Sequence, residues 1–286
     1  MIEKKVVSAK ELAVDVQSGK HIPFSRKNLC IPYGIFLALF VVLPLVLIFY
    51  YAFTSKTGAF SFANFIDFFT NPTSISTLFI SLIIGAITTF LCLLIGYPIA
   101  YILSRLNAKK SGILLLLFIM PMWINFVLRA MAMKELMTLM QIFAKNDFFN
   151  FLNTIIGMVY DYLPFMILPL YVTLIKQDKS LLEASYDLGA TKSQTFRKIT
   201  FPLSLPGIMS GITMVFLPCM SAYVISDTFG NGKVTIIGKF IEEQFGTGAN
   251  WNAGSAIAII MLAVMFVTML LSGGFKEEAN TRGTAI

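Results

Sequence analysis

Asp161 is the one acidic residue set well inside an apolar stretch, and tyrosines stand on both sides of it, Tyr160 and Tyr162. A carboxylate at the centre of a bilayer costs about 2.5–3.5 kcal/mol on insertion scales, so such a residue usually faces a cavity or a partner. Two kinds of chemistry fit. A carboxylate beside aromatic faces can hold a cation, and two acids can divide acid–base work, for which Asp227, at the end of the next apolar stretch, would be the second. The enzymatic alternative lacks support elsewhere: no H-E-x-x-H or G-x-S-x-G arrangement is present. Asp161 lies about six residues into its stretch, about 9 Å deep at a rise of 1.5 Å per residue, which also puts an ion pair with Arg129 within reach. His21 is the single histidine, so no histidine-based metal or catalytic cluster can be assembled. Cys30, Cys92 and Cys219 show no C-x-x-C spacing and are expected as buried small apolar side chains.

The elements that carry these residues follow from composition. Hydrophobic residues make up 57% of the 286 and charged residues only 13%, and the mean hydropathy is +0.78. A spanning helix needs about 20 mostly apolar residues, because the hydrocarbon offers no water to an open backbone group. Six stretches qualify: Leu29–Phe53, Ile75–Leu103, Gly112–Met133, Ile155–Ile175, Gly207–Ser226 and Ala253–Gly273. They divide the chain into a tail over 1–28, a membrane domain over 29–275 and a second tail over 276–286. The first stretch is expected as a retained anchor, because no A-x-A site follows it. Prolines recur inside the spans, as is common in membrane helices, and Pro218 interrupts the fifth.

The net charge of +7 does not point to nucleic acid, because the basic residues fall in the connections. The first tail, the even connections and the last tail hold sixteen Lys and Arg, and the opposite side holds six, counting Arg129 near the end of the third stretch. The positive-inside rule therefore puts both tails in the cytoplasm, together with the segment 176–206.

That segment is polar between two apolar flanks. Ser180 to Glu183 reads S-x-x-E, a capping box opening a short helix with Leu181, Leu182, Ala184 and Leu188 mostly on one face. Gly189 ends it in the left-handed conformation. Thr191 to Gln194 repeats the box for a second helix, with Phe196 and Ile199 on one side, and Pro202 and Pro206 are expected to end it. Helices this short are marginal alone. They need a partner, either a membrane surface or a protein with a groove.

Glu183 to Pro202, E-A-S-x3-G-x9-I-x-F-P, resembles the E-A-A-x3-G-x9-I-x-L-P motif of ATP-binding-cassette importer permeases. Ser185 and Phe201 are mild departures. The resemblance implies an all-α integral membrane protein with six transmembrane helices, the type I importer permease fold, and a cytoplasmic coupling helix pair. It implies that Glu183, Ala184, Ser185, Gly189, Ala190, Ile199 and Pro202 contact an ATPase dimer. It also implies a second related permease and an extracytoplasmic binding protein. No phosphate-binding G-x-x-x-x-G-K-[ST] loop is present, so ATP and Mg are expected on the partner, and no cofactor or metal on this chain. "PMWINFVLR" at Pro121–Arg129, "VYDYLPFMILPLY" at Val159–Tyr171, "GYPIAY" at Gly96–Tyr101 and "AYVISD" at Ala222–Asp227 are similar to the first permease subunit of spermidine/putrescine importers. Related importers carry thiamine, iron or other small solutes. For a polyamine, a pathway should offer carboxylates to the ammonium groups and aromatic faces to the chain between them. Trp123, Tyr160, Asp161, Tyr171, Tyr223 and Asp227 are the expected pathway residues. The tyrosines also suit an interfacial belt.

Overall fold

The computed structural model describes residues 26–55, 57–140, 146–248 and 250–271, with the side chains of 26–30 and 271 not included. Nearly all of both tails, His21, the Cys30 side chain and the last two residues of the sixth predicted span lie outside this set. Among the described residues every regular element is helical, and the single β-bridge joins Thr54 to Phe60.

One compact unit ends at Ile48 and the other begins at Phe49. α1 (Arg26–Leu37) runs through a π turn over Ala38–Val42 into α2 (Leu43–Ala52), of which Leu43–Ile48 belongs to the first unit, and Ile31–Ala52 is long and apolar enough to cross a membrane.

In the second unit a short helix, α3 (Ala63–Thr70), leads into α4 (Pro72–Arg105). Asn71 caps α4 by accepting the Thr73 amide at 2.9 Å, and Pro72 occupies the first turn, where a missing N–H costs nothing. At 1.5 Å per residue α4 is about 51 Å long, so it tilts or emerges from a hydrocarbon layer of about 30 Å. Its buried face is small and weakly polar, running through Ser74, Thr77, Ser81, Gly85, Thr88, Thr89, Cys92, Gly96 and Ala100. Its exposed face carries Phe79, Ile83, Phe90 and Leu94. This inverts the soluble pattern. Lipid is as apolar as leucine, so helices associate where small residues let backbones approach and hydroxyls find acceptors within their own turn. Ser81 Oγ donates to the Thr77 carbonyl and Thr89 Oγ1 to that of Gly85, both at 2.7 Å.

The core forms where α4 meets α7 (Asp147–Ile175) and α10 (Phe201–Ser221). Ile84, Cys92, Met158, Met166, Ile167, Leu170, Val215 and Cys219 fill it, and both described cysteine side chains are free thiols buried there, as expected. Gly207 sets the approach of α10 to α7, because a Cβ at that position would lie 2.5 Å from Thr173 Oγ1. The last span, α13 (Trp251–Leu271), packs with α12 (Ile237–Phe245) and α3.

Two expectations are corrected. The third predicted span, Gly112–Met133, is not one straight helix. α5 (Ala108–Ile119) and a 3₁₀ turn over Met120–Trp123 meet α6 (Phe126–Leu139) at 100°. Ile124 is extended, and Asn125 then caps α6 by accepting the Val127 amide at 2.9 Å. Among the described residues five helices are therefore long and apolar enough to span, or six if the bent pair counts as one. The second correction concerns Pro202 and Pro206, which do not end a helix. α9 (Lys192–Thr195), a π turn over Phe196–Thr200 and α10 form a continuous stretch, Lys192–Ser221. In the π turn the Phe201 amide reaches back to the Phe196 carbonyl, and this wider turn admits the ring of Pro202, which would crowd an ordinary α turn. Pro218 is likewise inside α10. The break falls after it, at Ala222, before α11 (Tyr223–Phe229).

The connection 227–252 contains the expected Asn-Gly turn: Asn231 and Gly232 have φ of 50° and 72°, and Lys233 N–H bonds the Gly230 carbonyl at 3.0 Å.

Candidate functional site

Arg129 and Asp161 form a buried ion pair. Arg129 sits in the first turns of α6 just past the 100° bend, and Asp161 faces it from the middle of α7. Arg129 Nε and Nη2 lie 2.6 and 2.5 Å from Asp161 Oδ1. Nη1 donates to the Pro121 carbonyl at 2.8 Å, so one guanidinium ties both arms of the bend to α7. The Tyr160 ring lies 5.9 Å from the guanidinium carbon. Each charge is compensated, which is what allows both to sit below one-tenth exposure.

A cavity of about 370 Å³ opens beside this pair, between the bend, α7 and the break from α10 into α11. Arg129, Asp161, Tyr162, Phe165, Phe126 and Tyr223 line it, with Met122, Pro218, Ser221 and Ala222. Its size suits a small solute. Of the predicted pathway residues, Asp161 and Tyr223 share this cavity, and Tyr160 adjoins it through Arg129. Trp123 is 79% exposed at the bend and is not part of the lining. Tyr171 is buried elsewhere, its hydroxyl hydrogen-bonded with Ser111 Oγ at 2.8 Å. Asp227 pairs with Lys239 of α12 and is also absent from the lining. Asp161 and Asp227 thus engage different cations and do not form a paired acid site. Sequence reasoning missed Phe126, Phe165 and Ser221 as lining residues. A proline followed four residues later by an asparagine cap, Pro121 and Asn125, was the available signal that the backbone would open here.

The second site is the segment between α7 and α10. α8 (Lys179–Asp187) is capped by Asp178, whose Oδ1 accepts the Ser180 amide at 2.9 Å. The Ser180 amide, and after it the Ser180 side chain, hold the Asp178 carboxyl below the usual carboxylate range. The Asp178 contribution is therefore present at neutral pH and lost as pH falls through that depressed value. The S-x-x-E box predicted at Ser180 does not form, because the cap lies two residues earlier. Among the described residues the exposed Glu183 carboxylate has no hydrogen-bond partner. The predicted apolar face also splits: Leu182 turns inward with Ser185, whereas Leu181, Ala184 and Leu188 are exposed, Leu188 by 88%.

Gly189 ends α8 with φ of 81°; its N–H bonds the Tyr186 carbonyl at 2.9 Å and that of Ala190 bonds Ser185 at 3.0 Å, a Schellman closure. The second box is present as expected, with Thr191 and Gln194 capping α9 reciprocally. Ile199 is half-buried in the π turn and Pro202 is exposed at the start of α10. Gln177, at the end of α7, donates to the Thr200 carbonyl at 3.0 Å and links the segment to the core helices.

The family described as "Binding-protein-dependent transport system inner membrane component" matches residues 93–276, well over half of the chain. The chain belongs to this permease family. The spermidine/putrescine transport system permease protein PotB of Haemophilus influenzae is 36% identical over 247 residues, covering 80% of this chain and 86% of that one. PotB of Escherichia coli is 37% identical over 255 residues, covering 82% and 92%. Among solved structures, a bacterial alginate ABC transporter in complex with alginate pentasaccharide-bound periplasmic protein matches with a TM-score of 0.71 at 15% identity, over 94% of this chain and 97% of that chain. The last likeness concerns the fold alone. The chain is a permease subunit of an ATP-binding-cassette importer.

Ser185, where the family motif has alanine, has a structural use in this permease. Its hydroxyl donates to the Leu182 carbonyl at 2.7 Å, which leaves Thr195 to donate to Ser185 Oγ at 2.9 Å across the turn between α8 and α9. Ser185→Ala strands the buried Thr195 hydroxyl at a cost of about 1–3 kcal/mol. Amide exchange over 180–196 should then quicken by about five-fold or more, since 1.4 kcal/mol is a factor of ten. Unchanged exchange would remove the clamp from the account.

Proposed function

We propose that this permease forms half of the translocation pathway for spermidine or putrescine, delivered by an extracytoplasmic binding protein and driven by an ATPase dimer docked on Glu183–Pro202. The observation that carries the substrate is the 36–37% identity to two spermidine/putrescine permeases, sustained over 86–92% of their lengths. The cavity chemistry agrees with it: an acid and several aromatic rings suit an amine-bearing chain better than an anion.

The coupling role is supported by the exposure of α8, on which Leu181, Ala184 and Leu188 form an apolar strip and Glu183, without a hydrogen-bond partner among the described residues, stands on another side. An exposed helix that offers both apolar side chains and a charge is what a protein cleft accepts. The excess of basic residues on one set of connections supports a cytoplasmic side for this segment and both termini. ATP and Mg belong to the ATPase partner, and a second related permease completes the pathway.

The test is uptake of labelled spermidine and putrescine by cells that have lost their own polyamine importers and express this permease with its partner subunits. Uptake should appear with the full set, vanish when this chain is omitted, and be blocked by excess polyamine but not by thiamine or ferric iron. Uptake of one of those solutes in place of polyamine would overturn the substrate assignment.

A further inference from the structure

The Arg129–Asp161 pair is one-sided. Nε and Nη2 both reach Oδ1, at 2.6 and 2.5 Å, and Oδ2 has no hydrogen-bond partner among the described residues. A carboxylate facing arginine commonly engages it through both oxygens, and it has about four acceptor positions in all. Here one oxygen is left over, on a residue that forms part of the wall of the 370 Å³ cavity. On its other side Arg129 Nη1 donates to the Pro121 carbonyl, which holds the guanidinium in place.

We propose that Asp161 Oδ2 receives one ammonium group of the transported polyamine, and that Arg129 is the positioning residue that fixes the carboxylate through its other oxygen. The inference rests on the polyamine reading above and assigns the atom that reads the substrate. Tyr162, Phe165, Phe126 and Tyr223 line the same cavity and supply aromatic surface for the methylene chain. The arrangement also sets the strength of the contact. Arg129 already neutralises Asp161, so an incoming ammonium is attracted by a shielded carboxylate and held weakly. A transport site must release what it binds. A polyamine can then pass by presenting its ammonium groups to Oδ2 one after another.

The experiment measures the KM for labelled spermidine of the complete importer, with its ATPase, second permease and binding protein, in proteoliposomes. D161N alone leaves Arg129 buried without a partner, so the deciding variant is R129Q/D161N, which buries no charge. Its KM should rise by about ten-fold or more, the lower end of what a charge-assisted hydrogen bond contributes, while its thermal midpoint stays near that of the parent. A purely structural pair gives a parental KM in the double variant, and that result overturns the inference. Should the double variant fail to accumulate, D161E keeps both charges and moves the carboxylate by one methylene. A raised KM there supports the assignment and a parental KM overturns it. Absence of spermidine uptake by the parent importer would instead defeat the polyamine reading itself.

Discussion

Glu183→Gln should reduce spermidine uptake by at least about ten-fold while the permease accumulates and assembles normally. The expectation follows from where the cap lies. Asp178 accepts the Ser180 amide and begins α8, so Glu183 has no capping duty to lose, and a surface substitution away from such features usually stays within about 0.5 kcal/mol. Its carboxylate is exposed on the same short helix that exposes Leu181 and Ala184. Once buried against a partner and hydrogen-bonded there, such a charge is worth about 2–5 kcal/mol, and 1.4 kcal/mol is already a factor of ten. Glutamine preserves shape and loses the charge. Spermidine-stimulated ATP hydrolysis should fall with uptake in the assembled complex. Undiminished uptake and stimulation in Glu183→Gln would remove the charge from the coupling account.

Arg129→Gln is expected to have the largest effect on stability. It leaves Asp161 buried with an uncompensated charge, and breaking a buried pair from one side costs about 3–5 kcal/mol. It also releases the Pro121 carbonyl, and with it the tie across the 100° bend. The thermal midpoint of the purified complex should therefore drop sharply for Arg129→Gln and for Asp161→Asn. The two together should recover most of the loss, because the double variant leaves no unpaired charge. Additive losses in the double variant would mean that the pair is not the unit holding the bend.

Much of this fold was legible because the membrane imposes long apolar runs, and α4, α7 and α10 answer closely to three of them. The failures have local causes. Asp178 and Ser180 are both good caps two residues apart, and sequence alone favoured Ser180 because a glutamate follows it at the box spacing. Pro202 and Pro206 read as helix stops, but the π turn over Phe196–Thr200 gives the chain a way past them. The break in the third span was signalled by Pro121 and Asn125, yet continuous hydrophobicity on both sides hid it. The cavity was legible in part. An ion pair between Asp161 and Arg129 was foreseeable from their types. The grip of Arg129 on a single oxygen and on Pro121 depends on the bend, and no sequence pattern shows it. The place of Tyr171 away from the cavity was hidden for a similar reason, since its partner Ser111 lies sixty positions away and is met only through packing.

The most direct test of coupled polyamine import uses proteoliposomes holding this permease, its partner permease and the ATPase dimer, with the binding protein on the outer side and ATP on the ATPase side. Labelled spermidine should accumulate inside against its gradient, and accumulation should stop when ATP or the binding protein is withheld or when Glu183 is replaced by Gln. Accumulation that persists without ATP, or that survives Glu183→Gln undiminished, would contradict the account.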